Sequence, residues 1–169
     1  MIYADILKAL NKNKINYAVA GGVAVVLHGY TRFTADLDLI VELKEGNLEK
    51  FFDTMHNLGY RPKVPVTKEE FKDKHKLQVW IDKKNMLVFS FFNLKDHLKI
   101  VDMFVTEPIK FSEIKNSLEK IKINNLTVPT IGIRQLRELK LLASRPQDLI
   151  DINNLEEIAR IKNEGRAKT

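Results

Sequence analysis

The chain predicts an α/β or α+β domain: a mixed β-sheet flanked by helices and followed by a C-terminal helical hairpin. Short apolar or alternating runs of strand length recur between Ile15 and Thr130, helix-period segments fall between them, and beyond Gly132 the period is helical alone. With 169 residues, 44% of them hydrophobic, the chain can bury a core as one domain or one domain with a small appendage.

Taken in order, Tyr3 to Leu10 places Ile6, Leu7 and Leu10 on one helical face, and Asn11-Lys12-Asn13-Lys14 breaks the pattern. Ile15–Ala20 (INYAVA) reads as a strand. Gly21-Gly22 then turns the chain into Val23–Tyr30 (VAVVLHGY), which is apolar on nearly every side and reads as a buried helix. Thr31–Ala35 crosses to Asp36–Leu43, a strand with Leu37, Leu39 and Val41 on one face and Asp36, Asp38 and Ile40 on the other. Leu48 to Leu58 predicts a helix ended by Gly59, and Thr67-Lys68-Glu69-Glu70 has capping-box spacing for a short helical turn. Lys76–Asp82 (KLQVWID) and Met86–Phe92 (MLVFSFF), joined by Lys83-Lys84-Asn85, predict a hairpin. Leu98–Val105 is a further strand, and Phe111–Leu118 a helix. Leu126–Thr130 is an edge strand because it contains Pro129. Leu136, Leu139, Lys140 and Ala143 then share a helical face, and Ser144–Ile161 forms a second helix with Pro146 in its first turn. A boundary between Thr130 and Ile133 would separate a main domain, 1–130, from a helical extension, 131–169, packed on it.

Composition narrows the functional classes. The absence of cysteine excludes disulfides and thiolate metal sites and suits a reducing compartment. His28, His56, His75 and His97 lack paired-ligand spacing, so a zinc site is not expected. Asp5 precedes Lys8, Lys12 and Lys14, the reverse of a secretory leader, and no run approaches about 18 consecutive apolar residues. A cytoplasmic protein without membrane attachment is expected. The formal charge of +6 favours phosphate-bearing partners, but the lysines are dispersed and no run of five like charges marks a nucleic-acid patch.

Chemistry concentrates in Gly21–Leu43. Alternation sends Asp36 and Asp38 to the same side of their strand, where two close carboxylates repel unless a cation lies between them. Magnesium uses one or two carboxylates together with substrate phosphates. The competing reading is a solvated strand end, in which Asp-x-Asp is ordinary surface charge. Asp102 is a third acid in an apolar strand, where a lone charge is costly. If its strand neighbours that of Asp36 and Asp38, three carboxylates converge; if it lies far away, surface charge is the better reading. Gly21-Gly22, at a strand-to-helix junction, is either an anion cradle of bare N–H groups or a tight turn.

The block GGVAVVLHGYTRFTADLDLIV resembles the signature of the nucleotidyltransferase superfamily with the DNA-polymerase-β-like fold, in which a glycine pair precedes Asp-h-Asp and a later strand supplies a third Asp. It is similar to the small branch that includes abortive-infection-type and minimal nucleotidyltransferases, whose R-x-T-x-D-h-D variant Arg32, Thr34, Asp36 and Asp38 match. Leu136, Lys140, Ala143, Arg145, Asp148 and Asp151 match that branch's helical tail. The resemblance spans about Tyr17 to Leu155, and Arg61 to Phe92 matches no motif.

The resemblance implies transfer of a nucleoside monophosphate from a triphosphate, ATP being the expected one, to an acceptor hydroxyl. Asp36, Asp38 and Asp102 would be catalytic and hold Mg2+ or Mn2+. Gly21 and Gly22 would cradle the β and γ phosphates, and Thr34 belongs to the same nucleotide-binding motif. Arg32 would neutralise phosphate or orient the aspartates. Lys140 would contact phosphate or base, against the reading that its stem covers apolar surface. Arg145 with Asp148 reads as a structural ion pair, and Trp80, Phe89, Phe91 and Phe92 as core. Acceptors implied are an antibiotic-like small molecule, a protein side chain as in toxin–antitoxin pairs, with a partner protein, or an RNA 3′ end. The alternative is an inactive nucleotide- or nucleic-acid-binding module of the same fold.

Overall fold

The computed structural model describes residues 2–84, 86–106 and 108–166. Asn85, the last residue of the expected hairpin turn, and 167–169, the end of the expected helical extension, lie outside the described residues. Among the described residues, no helix is long and apolar enough to cross a membrane.

Helix α1 (Ala4–Lys12) precedes β1 (Tyr17–Val19), α2 (Gly21–His28) and β2 (Asp36–Val41). Next come α3 (Glu45–Asn57), β3 (Tyr60–Pro62), α4 (Lys68–Lys72), α5 (Lys74–Lys84), β4 (Val88–Asn93) and β5 (Ile100–Phe104). The short α6 (Phe111–Ile114), strands β6 (Glu119–Ile123) and β7 (Leu126–Thr130), and helices α7 (Ile133–Ala143) and α8 (Pro146–Arg166) complete the chain. The strands form one mixed sheet in the order β3-β4-β5-β2-β1-β7-β6. β2 runs parallel to β5 and β1 parallel to β7, while the other neighbours are antiparallel. The expected mixed sheet with flanking helices and a terminal helix pair is therefore the observed architecture.

Alternation in β2 and β5 separates the two faces of the sheet. Leu37, Leu39, Val101 and Met103 are fully buried, whereas Asp36, Asp38 and Asp102 are half-buried on the other face. Phe51, Phe52, Phe71, Phe89 and Phe91, from α3, α4 and β4, form an aromatic cluster with neighbouring ring centroids 4.9–6.2 Å apart. Asn47 fastens α3 to the strand ends: its Oδ1 accepts from Asn16 N at 2.8 Å, and its Nδ2 donates to the carbonyls of Asn16 and Glu42 at 3.0 and 2.9 Å.

Two sequence expectations are corrected. Lys76–Asp82 is not the first strand of a hairpin but lies within α5. Asp73 Oδ1 accepts from the backbone N–H groups of His75 and Lys76 at 2.9 and 3.1 Å, a helix-starting arrangement, and Leu77, Trp80 and Ile81 then fall at helical spacing against the core. Strand β4 pairs instead with β3 and β5. Leu126–Thr130 is not an edge strand either, since β7 lies between β1 and β6. The two-residue Asn124-Asn125 turn makes Lys120–Pro129 a pair without reciprocal hydrogen bonds, so Pro129 needs no donor toward β6. Pairing with β1 begins only at Thr130, beyond Pro129. The helix expected over Phe111–Leu118 shortens to α6, and β3 and β6 are short edge strands that periodicity did not reveal. Phe89 and Phe91 are core as expected, and Trp80 packs partly buried against it. Phe92 is only half-buried and meets His97 edge-on, with centroids 5.3 Å apart.

Phe91 touches three rings of the cluster. Phe91→Ala is expected to cost about 3–5 kcal/mol of unfolding free energy, measured by urea denaturation against the unmodified chain.

Candidate active site

The parallel register of β2 and β5 sets Asp38 directly opposite Asp102, with Asp36 two residues back on the same face. Asp102 therefore lies beside Asp36 and Asp38, and the reading of scattered surface charge loses its basis. On the far side of β5, Ser90 of β4 is in register with Asp102.

The glycine pair meets these carboxylates from the other direction. Ala20 N–H donates to the Asp38 carbonyl at 2.9 Å, which ties the start of α2 to β2. Gly21 has φ +58°, and a Cβ there would overlap Asp38 Oδ2. A Cβ on Gly22 would overlap Thr34 Oγ1 and Arg32 Nη2. Gly21 thus requires glycine for conformation and space, whereas a Cβ at Gly22 would oblige the Thr34 and Arg32 side chains to shift. The backbone N–H of Gly22 favours the ionised Asp38 carboxylate, so the first turn of α2 already addresses negative charge.

The electrostatics record the crowding. Burial, then the Asp102 charge, pushes the Asp38 carboxyl up to about 6, with Asp36 adding to the rise and Gly22 N–H and Arg145 opposing it. Burial and Asp102 likewise raise Asp36, while Lys63 eases it. Tyr3, whose hydroxyl donates to the Ala35 carbonyl, is raised by burial and by all three carboxylates.

Asp102 Oδ1 is buried without a hydrogen-bond partner, an arrangement costly for a carboxylate oxygen unless something else binds it. Among the described residues, no three His, Asp or Glu side chains are arranged, as they stand, to hold a metal ion by themselves. Two facing carboxylates, a third beside them and one unsatisfied oxygen fit a hard divalent cation that takes its remaining ligands from phosphates and water.

Behind the glycines lies a second charged cluster. Lys140 Nζ donates to Asp148 Oδ1 at 3.0 Å and to Asp151 Oδ2 at 2.6 Å, and all three side chains are buried. Arg32 Nε lies 3.1 Å from Asp151 Oδ1, an ion pair without hydrogen-bond alignment, and Arg32 Nη1 donates to the Phe33 carbonyl at 2.8 Å. Gln147 Nε2 donates to Asp151 Oδ1 at 3.1 Å. The structure thus sets Asp36, Asp38 and Asp102 side by side, with Gly21 against Asp38 and Gly22 against Arg32 and Thr34, and places Lys140 on two acids of which Asp151 pairs with Arg32. The expected Arg145–Asp148 ion pair is present, with Nε to Oδ2 at 2.7 Å. Sequence reasoning missed Tyr3, Lys63 and the bridging place of Asp151. The first two carry no motif, and the Asp151 contact to Arg32 joins residues far apart in the chain.

No family model matches the chain, and no curated protein sequence matches it. Solved structures do. The lincomycin-bound crystal structure of the lincosamide antibiotic adenylyltransferase LnuA is 18% identical over 91% of this chain and 94% of that one, with a TM-score of 0.59. The crystal structure of ANT(2″)-Ia with adenylyl-2″-tobramycin is 14% identical over 99% and 96% of the two chains, also at 0.59. The chain has a nucleotidyltransferase-like fold, shared with these antibiotic-modifying enzymes along nearly its whole length.

Because the Asp38 carboxyl titrates near 6 when folded against 3.8 in its ordinary state, folding binds its proton more tightly. That contribution to stability is fully present below about pH 4 and is lost as pH rises through 6. Without divalent metal, the protein is expected to lose on the order of 1–3 kcal/mol between pH 4 and 7 relative to Asp38→Asn. Urea titrations of both proteins at the two pH values measure it, and an unchanged difference would contradict the shift.

Proposed function

We propose that the chain is a metal-dependent nucleotidyltransferase that moves a nucleoside monophosphate from a nucleoside triphosphate to an acceptor hydroxyl. The observation that carries this reading is the facing pair Asp38 and Asp102, with one orphaned Asp102 oxygen, beside a backbone bend that only glycine can occupy.

In this reading Asp36, Asp38 and Asp102 hold Mg2+ or Mn2+. When bound, the metal supplies neutralising charge at the entering and leaving oxygens. Gly21 and Gly22 receive the β and γ phosphates on the open start of α2, and Arg32 and Thr34 border that cradle. Asp102 takes the acceptor's proton as its oxygen bonds to the α-phosphorus; the bond to the bridging oxygen breaks and pyrophosphate leaves. Lys140 acts from behind, holding Asp151 and through it Arg32. Residues 1–130 would form the catalytic part, with α7 and α8 as the extension that braces it. Arg32, Thr34, Asp36 and Asp38 favour the abortive-infection-type or minimal branch.

LnuA is named as an adenylyltransferase of lincosamide antibiotics, and ANT(2″)-Ia was captured with adenylyl-2″-tobramycin. Those names support ATP as donor and a small-molecule hydroxyl as acceptor. A protein or RNA acceptor and an inert nucleotide-binding module are distinguished by the same experiment. Incubating the protein with each labelled nucleotide, magnesium and host lysate is expected to release pyrophosphate and to label small molecules. Label on protein or RNA identifies the other acceptors, and nucleotide uptake without pyrophosphate marks the inert module.

Asp36→Ala, Asp38→Ala and Asp102→Ala are each expected to lower transfer by at least about 10²–10³-fold. Melting temperature should be held or raised, because each change removes one of three mutually repelling charges. Transfer that survives in the Asp36/Asp38 double alanine variant would end the proposal.

A further inference from the structure

Helix α7 ends in Ser144, whose φ of 50° turns the chain sharply, and Arg145 immediately precedes the first residue of α8. Asp148 then accepts three bonds from that one residue: from Arg145 N at 3.2 Å, Nε at 2.7 Å and Nη2 at 3.3 Å. The Asp148 side chain is 2% exposed and that of Arg145 74% exposed. An acid anchored in the interior therefore grips one edge of a guanidinium whose other edge faces solvent.

The direction in which Arg145 is held follows from the rest of the cluster. Asp148 and Asp151 are two buried carboxylates sharing one ammonium, Lys140. One negative charge is left over, and the arginines answer it, Arg145 on Asp148 and Arg32 on Asp151. Three residues apart on α8, the two acids share a helix face. Arg32 Nη2 lies against Gly22 and Arg32 Nε against Asp151, so the Asp151 end of this face borders the glycine cradle, and α8 packs on α2. Arg145 and Asp38 also feel each other's charge, each favouring the ionised form of its partner.

On the nucleotidyl-transfer reading, we propose that Arg145 is a substrate-contacting residue that binds the β and γ phosphates of the nucleoside triphosphate through the guanidinium edge that Asp148 leaves free. The α-phosphate must sit beside Asp38 and Asp102, where transfer occurs. Arg145 approaches from the α8 side of Gly22, away from β5, and so meets the phosphates beyond it. Those phosphates become the leaving pyrophosphate, and a guanidinium fixed in orientation by a buried acid can offer them paired N–H donors.

The test is calorimetric binding of ATP and of AMP, each with magnesium, to the unmodified protein, Arg145→Ala and Arg145→Lys, with melting temperatures as the control for folding. Arg145→Ala is expected to weaken ATP by about tenfold or more and to leave AMP affinity unchanged, while the melting temperature falls but the protein stays folded, because buried Asp148 loses one partner and keeps Lys140. Arg145→Lys should recover only part of the ATP affinity, because an ammonium cannot serve Asp148 and phosphate with two planar edges. An unchanged ATP-to-AMP ratio in both variants, whether neither ligand or both equally are weakened, would overturn the role of Arg145 alone. Failure of the unmodified protein to bind ATP would overturn the nucleotidyl-transfer reading together with it.

Discussion

The opposition of Asp38 and Asp102 across the parallel β2–β5 pair is the constraint around which the carboxylate cluster is arranged. Two like charges at matched positions work against the strand pairing that brings them together. The sheet tolerates them because their opposite face is fully buried in Leu37, Leu39, Val101 and Met103. That side fixes the register, and a one-residue slip would turn the leucines onto the carboxylate face and the aspartates into the core. Hydrophobic burial on one face thus holds a repulsive arrangement on the other. What the carboxylates lack is positive charge, and the nearby protein groups supply only part of it: Gly22 N–H and Arg145 at Asp38, and Lys63 at Asp36. Asp102 Oδ1 receives no hydrogen bond at all.

The second charged cluster has the opposite character. Lys140, Asp148 and Asp151 are mutually satisfied and buried, and such groups are rarely a net source of stability compared with apolar packing. Their value lies in geometry. Asp151 can face Arg32 only if α7 and α8 are seated against α2, so the terminal helices and the glycine bend are set in place together. Thr34 and Arg32 pack where Gly22 has no side chain, which joins the crossing segment Thr31–Ala35 to the same unit.

Legibility in the sequence followed the range of the interaction. Alternation placed Asp36 and Asp38 on one face because period two is local, and the glycine pair was visible because a strand-to-helix junction is local too. Asp102 could be named as a costly acid in an apolar strand, but its partner depended on which strand β5 joins. Lys140 was visible as a motif position, whereas its two acids lie 8 and 11 residues further on and meet it only when α7 and α8 fold together. Lys76–Asp82 was misread because Val79, Trp80 and Ile81 suit a strand by composition; the deciding feature was Asp73, a cap that stands outside the apolar run. Pro129 misled for a related reason: a proline is barred only where its nitrogen must donate, and that depends on pairing phase rather than on residue type.

Residues 61–92, which match no motif, acquire a location from the sheet order. They form β3, α4, α5 and most of β4, and β4 lies beyond β5, on the side of the carboxylates opposite to β1 and the glycine bend. Ser90 stands level with Asp102 there, and Lys63 N donates to the Ser90 carbonyl at 2.9 Å. Under the proposed reaction the nucleotide tail occupies the glycine side, leaving this flank to the acceptor. In that reading the phosphate side would use backbone N–H groups and guanidinium groups, which suit any nucleoside triphosphate, whereas the β4 flank offers other side chains, which could discriminate. The aromatic cluster beneath that flank anchors β4, while Ser90 and Phe92 point the other way.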